Sequence, residues 1–348
     1  MRQFFLLLTT FSLFLVSCDT NDNNDPATPC EAHFYTIAAT SVQSTGTTYE
    51  VYRYQKSDVL SSPEVLYTGN PFDPNLGGSI LTRANAALND DAGIYIYSFP
   101  GVSSQEYYKY DAAANTFERA PLASVNNPEF VSNQLRFLRF QTFMNSGVIT
   151  TDLSIIDENN NVVSQVHAGL DLSQQNTGMN NVFDILSSTD RQNKLFYLAN
   201  TLLFVYDTSA DTWTDYSVET FDNTNNKVYY RGFEYVGNNT FYALKGDETD
   251  PNNLTLQLVK IEIAGNTVQV SVLKDLTNAL SVSAQDVIGA QRRNWINSTY
   301  DACDNSYYFK VSYSNPVSTR LFEIKLESDT INESITNGKI FYGLNINP

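Results

Sequence analysis

From His33 onward the chain runs in short apolar and aromatic segments with a period near two, the pattern of strands with at least one buried face. HFYTIAA from His33, GIYIYSF from Gly93, LRFLRF from Leu135, KLFYLA from Lys194, TFYAL from Thr240 and SYYFKVS from Ser306 are six such runs. Each is followed by a second run, a polar turn and a third run, which predicts a hairpin. YYKYDAAANTFERA from Tyr107 and LFVYDTSADTWTDY from Leu203 match without a gap at an offset of 96 residues. That offset is two units of about 48, and LSIIDENNNVVSQV from Leu153 supplies the copy between them.

Weaker copies follow YEVYRY, LVKIEI and LFEIKL. Taking Asp58, Asn115, Asn161, Asp211, Asn266 and Asp329 as turn markers, the intervals are 57, 46, 50, 55 and 63 residues. Repeats of that length fit four-stranded blades, and radial repetition leaves few sheet edges exposed. The predicted fold is an all-β, six-bladed β-propeller, with seven blades or a pair of β-sandwiches as the other arrangements. The six aromatic runs are assigned to the inner strands. HFYTIAA is expected to close the ring against KIFYGLNI near the C-terminus. The 22 Tyr and 21 Phe residues suit pleated, half-buried surfaces and are read as blade packing.

The two best hairpins, KYD with NTF and VYD with DTW, resemble the second half of a kelch repeat. The resemblance implies propeller architecture and no particular chemistry, because propellers host enzymes, binders and scaffolds alike.

The N-terminus gives an address. Arg2 precedes an uncharged run from Phe4 to Val16, too short for a stable transmembrane helix and suited to a secretory signal. Leu15-Val16-Ser17-Cys18 resembles the lipobox of bacterial lipoproteins. The resemblance implies cleavage after residue 17 and acylation of Cys18, and two or three acyl chains hold a protein at a membrane almost irreversibly. Residues 1–17 are thus read as a signal peptide, 18–29 as a lipidated cysteine with an Asp/Asn-rich tether, and 30–348 as a single propeller domain. The acidic tether resembles the signal that sends lipoproteins of one Gram-negative group to the outer face of the outer membrane. The expected location is therefore the outer membrane, lipid-anchored and facing the exterior.

The formal charge of −17 becomes −18 once Arg2 is removed, which makes nucleic acid and anionic lipid surfaces poor partners. With Cys18 acylated, Cys30 and Cys303 remain, and an oxidising compartment would let them pair. Closing so long a loop would contribute on the order of 5 kcal/mol by chain entropy.

Catalytic signatures are sparse. His33 and His167 are the only histidines and sit in strand contexts, and no G-x-S-x-G or H-E-x-x-H occurs. No calcium loop has the ordered acidic spacing, and no ligand set for a kelch-type copper oxidase assembles. No metal, cofactor or catalytic residue is expected. Arg139, Arg231 and Arg293, with Tyr229 and Tyr230, are the candidate ligand residues: converging on the axial channel they would form a basic, aromatic pocket. The leading functional expectation is a capture module for a glycan or ferric siderophore beside an outer-membrane transporter. A surface glycoside hydrolase or lyase, with carboxylates at the propeller mouth, is the alternative, and a structural or adhesion role is the third.

Overall fold

In the computed structural model, residues 33–43, 46–56, 62–69, 86–89, 94–100, 105–120, 126–145, 148–167, 185–199, 202–218, 228–250, 252–288, 296–314 and 316–347 are described. The chain divides into Met1–Cys30 and Glu31–Pro348, and the described residues belong to the second unit. The signal peptide, Cys18, the tether and Cys30 lie outside the described residues.

The first three strands are β1 (His33–Gln43), β2 (Gly46–Gln55) and β3 (Glu64–Gly69). Next come β4 (Ala86–Asn89), β5 (Ile94–Pro100), β6 (Gln105–Asp111) and β7 (Thr116–Ala120), then β8 (Asn126–Val131), β9 (Gln134–Asn145), β10 (Val148–Ile156) and β11 (Val162–His167). They are followed by β12 (Ile185–Thr189), β13 (Lys194–Ala199), β14 (Leu202–Asp207) and β15 (Thr212–Ser217). A further set is β16 (Val228–Gly237), β17 (Thr240–Asp247), β18 (Thr255–Ala264) and β19 (Thr267–Asp275). A short helix, α1 (Ala284–Ile288), precedes β20 (Ile296–Asp301), β21 (Ser306–Ser314), β22 (Val317–Lys325) and β23 (Thr330–Asn337), and β24 (Ile340–Asn347) ends the chain.

These strands form four-stranded antiparallel sheets, and the molecule is an all-β β-propeller. Five sheets are contiguous in sequence: β4 to β7, β8 to β11, β12 to β15, β16 to β19 and β20 to β23. A sixth is composite, in the order β24-β1-β2-β3. The first strand of each sheet touches that of the next, so β4, β8, β12, β16, β20 and β24 form a closed ring about the axis. The expected closure of HFYTIAA against the C-terminus is present, with His33 opposite Asn347 and Ala39 opposite Ile340.

One assignment is corrected. The six aromatic runs form β1, β5, β9, β13, β17 and β21, which are second strands and not inner ones. The reason lies in what each strand faces. Second and third strands have a neighbouring blade on both faces, so Leu195 through Ala199 of β13 are all buried, as are Leu203 through Tyr206 of β14. The outermost β15 buries no residue fully. The innermost strands border the axial cavity and carry polar residues that interrupt an apolar run.

The core is accordingly a set of layers between blades. Phe196, Leu198 and Val205 of one blade pack on Tyr230, Phe233 and Phe241 of the next, with Phe233 stacked on Phe241 at 4.6 Å between centroids. Leu244 and Leu258 meet Tyr307, Phe309 and Phe322 in the following layer. Removing one of these buried rings costs about 3–5 kcal/mol.

The repeated hairpins join third and outermost strands. In both best copies the aspartate ending the strand accepts backbone N–H groups across the turn: Asp111 from Ala113 and Ala114, and Asp207 from Ser209 and Ala210. The tyrosine before it donates to the residue after the turn, Tyr110 to Asn115 and Tyr206 to Asp211, both at 3.1 Å. Asn115 and Asp211 have φ near +50°, a conformation their short polar side chains tolerate. The same device recurs in TYDACDN, where Tyr300 donates to Asn305. There it joins innermost β20 to β21, so the motif marks a turn geometry and not a radial position.

Candidate axial ligand site

The ring encloses a cavity of about 450 Å³, lined by β8, β12, β16, β20 and β24. Hydroxyl, amide and carboxyl groups predominate on its polar side, and Glu129 and Glu234 stand in its wall.

A repeated backbone irregularity sets these positions. On β8, Asn127 and Pro128 together oppose one residue of β9; on β16, Gly232 and Phe233 oppose one residue of β17. On β24, Gly343 and Leu344 oppose one residue of β1. In each bulge the first residue has positive φ: +50° at Asn127, +58° at Gly232 and +73° at Gly343. A bulge adds a residue and re-aims the side chains that follow. The residues immediately after the bulges are Glu129, Glu234 and Asn345, and all three line the cavity. The intervening β12 and β20 pair with their second strands without register shifts, and they present Ser187 and Ser298.

The bulge on β16 is tightly held. Tyr307 Oη donates to the Gly232 carbonyl at 2.5 Å, and a Cβ at Gly232 would lie 2.3 Å from that hydroxyl and 2.8 Å from the Ser298 side chain. Only glycine fits. On β24, Thr36 Oγ1 of β1 donates to the Gly343 carbonyl at 2.8 Å. On β8, Asn127 Nδ2 donates to the Ile185 carbonyl at 2.7 Å, tying the bulge to the next blade.

Each glutamate accepts a hydrogen bond from the serine of the following blade. Ser187 Oγ donates to Glu129 at 2.5 Å, and Ser298 Oγ donates to Glu234. Both glutamates are half-buried in the cavity wall. Burial pushes Glu129 up to about 7, against the Ser187 hydrogen bond and the positive charge of Arg191. Burial pushes Glu234 higher, up to about 8; the Ser298 hydrogen bond and Arg191 oppose the rise, and the Glu129 charge adds to it. Asn345 contributes a buried amide nitrogen, Nδ2, with no hydrogen-bond partner. Tyr235 and Tyr300 border the cavity with rings held elsewhere, Tyr235 stacked on Phe196 at 5.2 Å and Tyr300 edge-on to Tyr242 at 5.4 Å.

The candidate basic, aromatic set is distributed differently. Arg231 and Tyr229 are brought together on innermost β16, with the guanidinium 5.9 Å from the ring centroid. Arg231 is nevertheless buried, and its Nη1 donates to the Tyr230 carbonyl at 2.5 Å. Tyr230 packs in the layer between blades. Arg139 lies on β9, a second strand, where it donates to Asn160 Oδ1. None of these four residues lines the axial cavity. Arg293 falls outside the described residues. Cys303 is disulfide-bonded, and its expected partner, Cys30, also falls outside them.

Glu129 and Glu234 escaped the sequence reading, although a signal for them exists. Asn127-Pro128-Glu129-Phe130-Val131 and Gly232-Phe233-Glu234-Tyr235-Val236 share one pattern: a residue suited to positive φ, then a glutamate two places on, followed by an aromatic and a valine.

No protein-family model matches this sequence, and no curated protein does. Similar solved structures exist at low identity. TolB from Acinetobacter baumannii aligns with a TM-score of 0.54 and 11% identity, over 91% of this chain and 66% of that one. The β-propeller domain of the Trilobed protease from Pyrococcus furiosus gives 0.42 and 10%, over 87% and 81%. The GH74 xyloglucanase from Xanthomonas campestris gives 0.43 and 11%, over 86% and 46%. The likeness to TolB supports the fold alone, and this chain spans under two thirds of that protein's length.

Proposed function

We propose that this protein is an exported lipoprotein, acylated at Cys18 and held at the outer membrane with its propeller facing outward, whose axial cavity captures a glycan beside an outer-membrane transporter. The observation that carries the binding reading is the cavity itself. It is large enough for a sugar unit, and its serine, threonine, asparagine and glutamate side chains suit a hydroxyl-rich ligand. A ferric siderophore bearing negative charge fits less well, because two carboxyls stand in the wall and the chain is strongly acidic. A thermal-shift series on the detergent-purified full chain tests this, since a ligand binding only the native state raises the melting temperature. Glycans should raise it and anionic siderophores should leave it unchanged; the reverse pattern would reject the glycan reading. For the anchor, Cys18→Ala should release the protein to the soluble fraction, and persistent membrane retention would count against lipidation.

The paired carboxyls also support a second reading, glycoside hydrolysis. A carboxylic acid kept protonated near neutral pH is what protonation of a glycosidic oxygen requires. Release of reducing ends from a bound glycan, abolished in Glu234→Gln and Glu129→Gln, would favour it. Binding without turnover would leave capture as the function.

A further inference from the structure

We propose that the axial cavity is built for a sugar bearing a free amino group, a 2-amino-2-deoxy unit in its ammonium form; this rests on the glycan reading above and narrows it. Three alternate inner strands carry the same bulge, and the residue after each bulge meets the cavity: Glu129, Glu234 and Asn345. Two of the three offer carboxyl groups. The third offers an amide N–H that is buried and has no partner in the protein. A neutral hydroxyl-rich ligand would give the two carboxyls no positive charge beyond that of Arg191. An ammonium satisfies the carboxyls, and a turn of the Asn345 side chain would bring its unpartnered Nδ2 to an oxygen on the neighbouring ring carbon.

The groups around the pair fit this assignment. Glu129 faces Ser187 on β12, Tyr197 on β13 and Arg191 in the β12–β13 turn, and Arg136 lies directly opposite it in register on β9. Glu234 faces Ser298 on β20, Tyr307 on β21, and at longer range Glu129 and Arg191. Asp190, beside Arg191 in the cavity wall, spends its Oδ1 on three backbone N–H groups of its own turn. The serines donate to the carboxyls and supply no charge. Burial outweighs Arg191 and the serine hydrogen bonds, so in the empty site the carboxyls keep their protons to higher pH than usual, and a bound ammonium ion favours their ionisation. Binding should then displace protons to solvent: each carboxylic acid loses H⁺ to buffer, and the resulting carboxylate pairs with the ammonium without any covalent change.

The test is titration calorimetry of the detergent-purified full chain with chitosan oligosaccharides, their fully N-acetylated counterparts, and neutral glucan oligosaccharides. It is run at pH 6.5 in two buffers of different ionisation enthalpy. The free-amine oligosaccharide should bind at least tenfold more tightly than the acetylated one and release protons, with the heat changing between buffers accordingly. Glu129→Gln/Glu234→Gln, checked for an intact melt, should lose both the preference and the proton release. Equal or tighter binding of the acetylated or neutral oligosaccharides, or a preference surviving in the double variant, would overturn the inference while leaving glycan capture standing. Absence of binding by all three classes would remove both. The ligand-side comparison uses only the wild-type chain, so it stands even where the double variant fails to fold.

Discussion

At the residue scale, two opposing titrations are built into the structure. Glu129 and Glu234 have folded-state values raised to about 7 and about 8, above the ordinary 4.5, chiefly by burial. The native state therefore binds more protons than the unfolded chain in this window. Their contribution to stability is fully present below pH 4.5 and is lost as pH rises through about 7 and 8. Lys310 runs the other way. It is 1% exposed on β21, and burial pulls it down to about 7 from 10.5. Below pH 7 the fold carries the whole cost of a buried ammonium, and that cost is relieved as pH rises from about 7 toward 10.5. Lys310→Met should stabilise the protein by on the order of 3 kcal/mol at pH 6, with the gain shrinking toward pH 10. Glu129→Gln/Glu234→Gln should flatten the fall in stability between pH 5 and 8. Urea denaturation from pH 5 to 10 checks both, and a Lys310→Met gain that grows with pH would refute the sign.

At the element scale, the bulged strands are where structure and sequence part company. Hairpins were legible because their cause is local: Asp207 and Asp111 cap their own turns, and the tyrosine just before each completes the turn by donating to the residue five places on. Radial position was not legible. A second strand such as Leu195 to Ala199 reads as apolar because blades cover both its faces, whereas innermost β16 mixes Arg231, Gly232 and Glu234 with aromatics. Its bulge shifts the alternation by one residue, which hides the strand from any period-two reading. Arg231 stands out in a chain of 21 basic residues, while two glutamates among 38 acids do not. Gly232→Ala should be disproportionately damaging, destabilising the fold by more than about 2 kcal/mol, because left-handed strain adds to the clash with Tyr307 and Ser298. Chemical denaturation reads it directly; a cost below 0.5 kcal/mol would mean that the bulge is easily rearranged.

At the scale of the whole molecule, ring closure depends on one strand and a few polar ties. β24 is the innermost strand of the composite blade and touches both β20 and β4. Across the same closure, Lys56 after β2 pairs with Asp301 and Asp304 at the β20–β21 turn. Burial works to lower Lys56, but the hydrogen bonds it donates to Asp301 and Asp304 outweigh it and leave the group raised. Asp301 is fully buried, so Lys56→Met leaves an uncompensated carboxylate and should cost about 3 kcal/mol. Deleting residues 340–348 should abolish the cooperative melt, since it opens the ring and removes Asn345 from the cavity.

If the axial cavity is the ligand site, a channel-filling variant must lose its ligand, and the affinity of such a variant is the most direct measurement. Ser187→Tyr places a ring in the cavity wall beside Glu129 without altering any outer surface. Its glycan affinity, by calorimetry beside the wild-type chain, should fall at least a hundredfold while the melting temperature shows the propeller intact. Undiminished affinity in a folded Ser187→Tyr protein would place the site elsewhere and contradict the account.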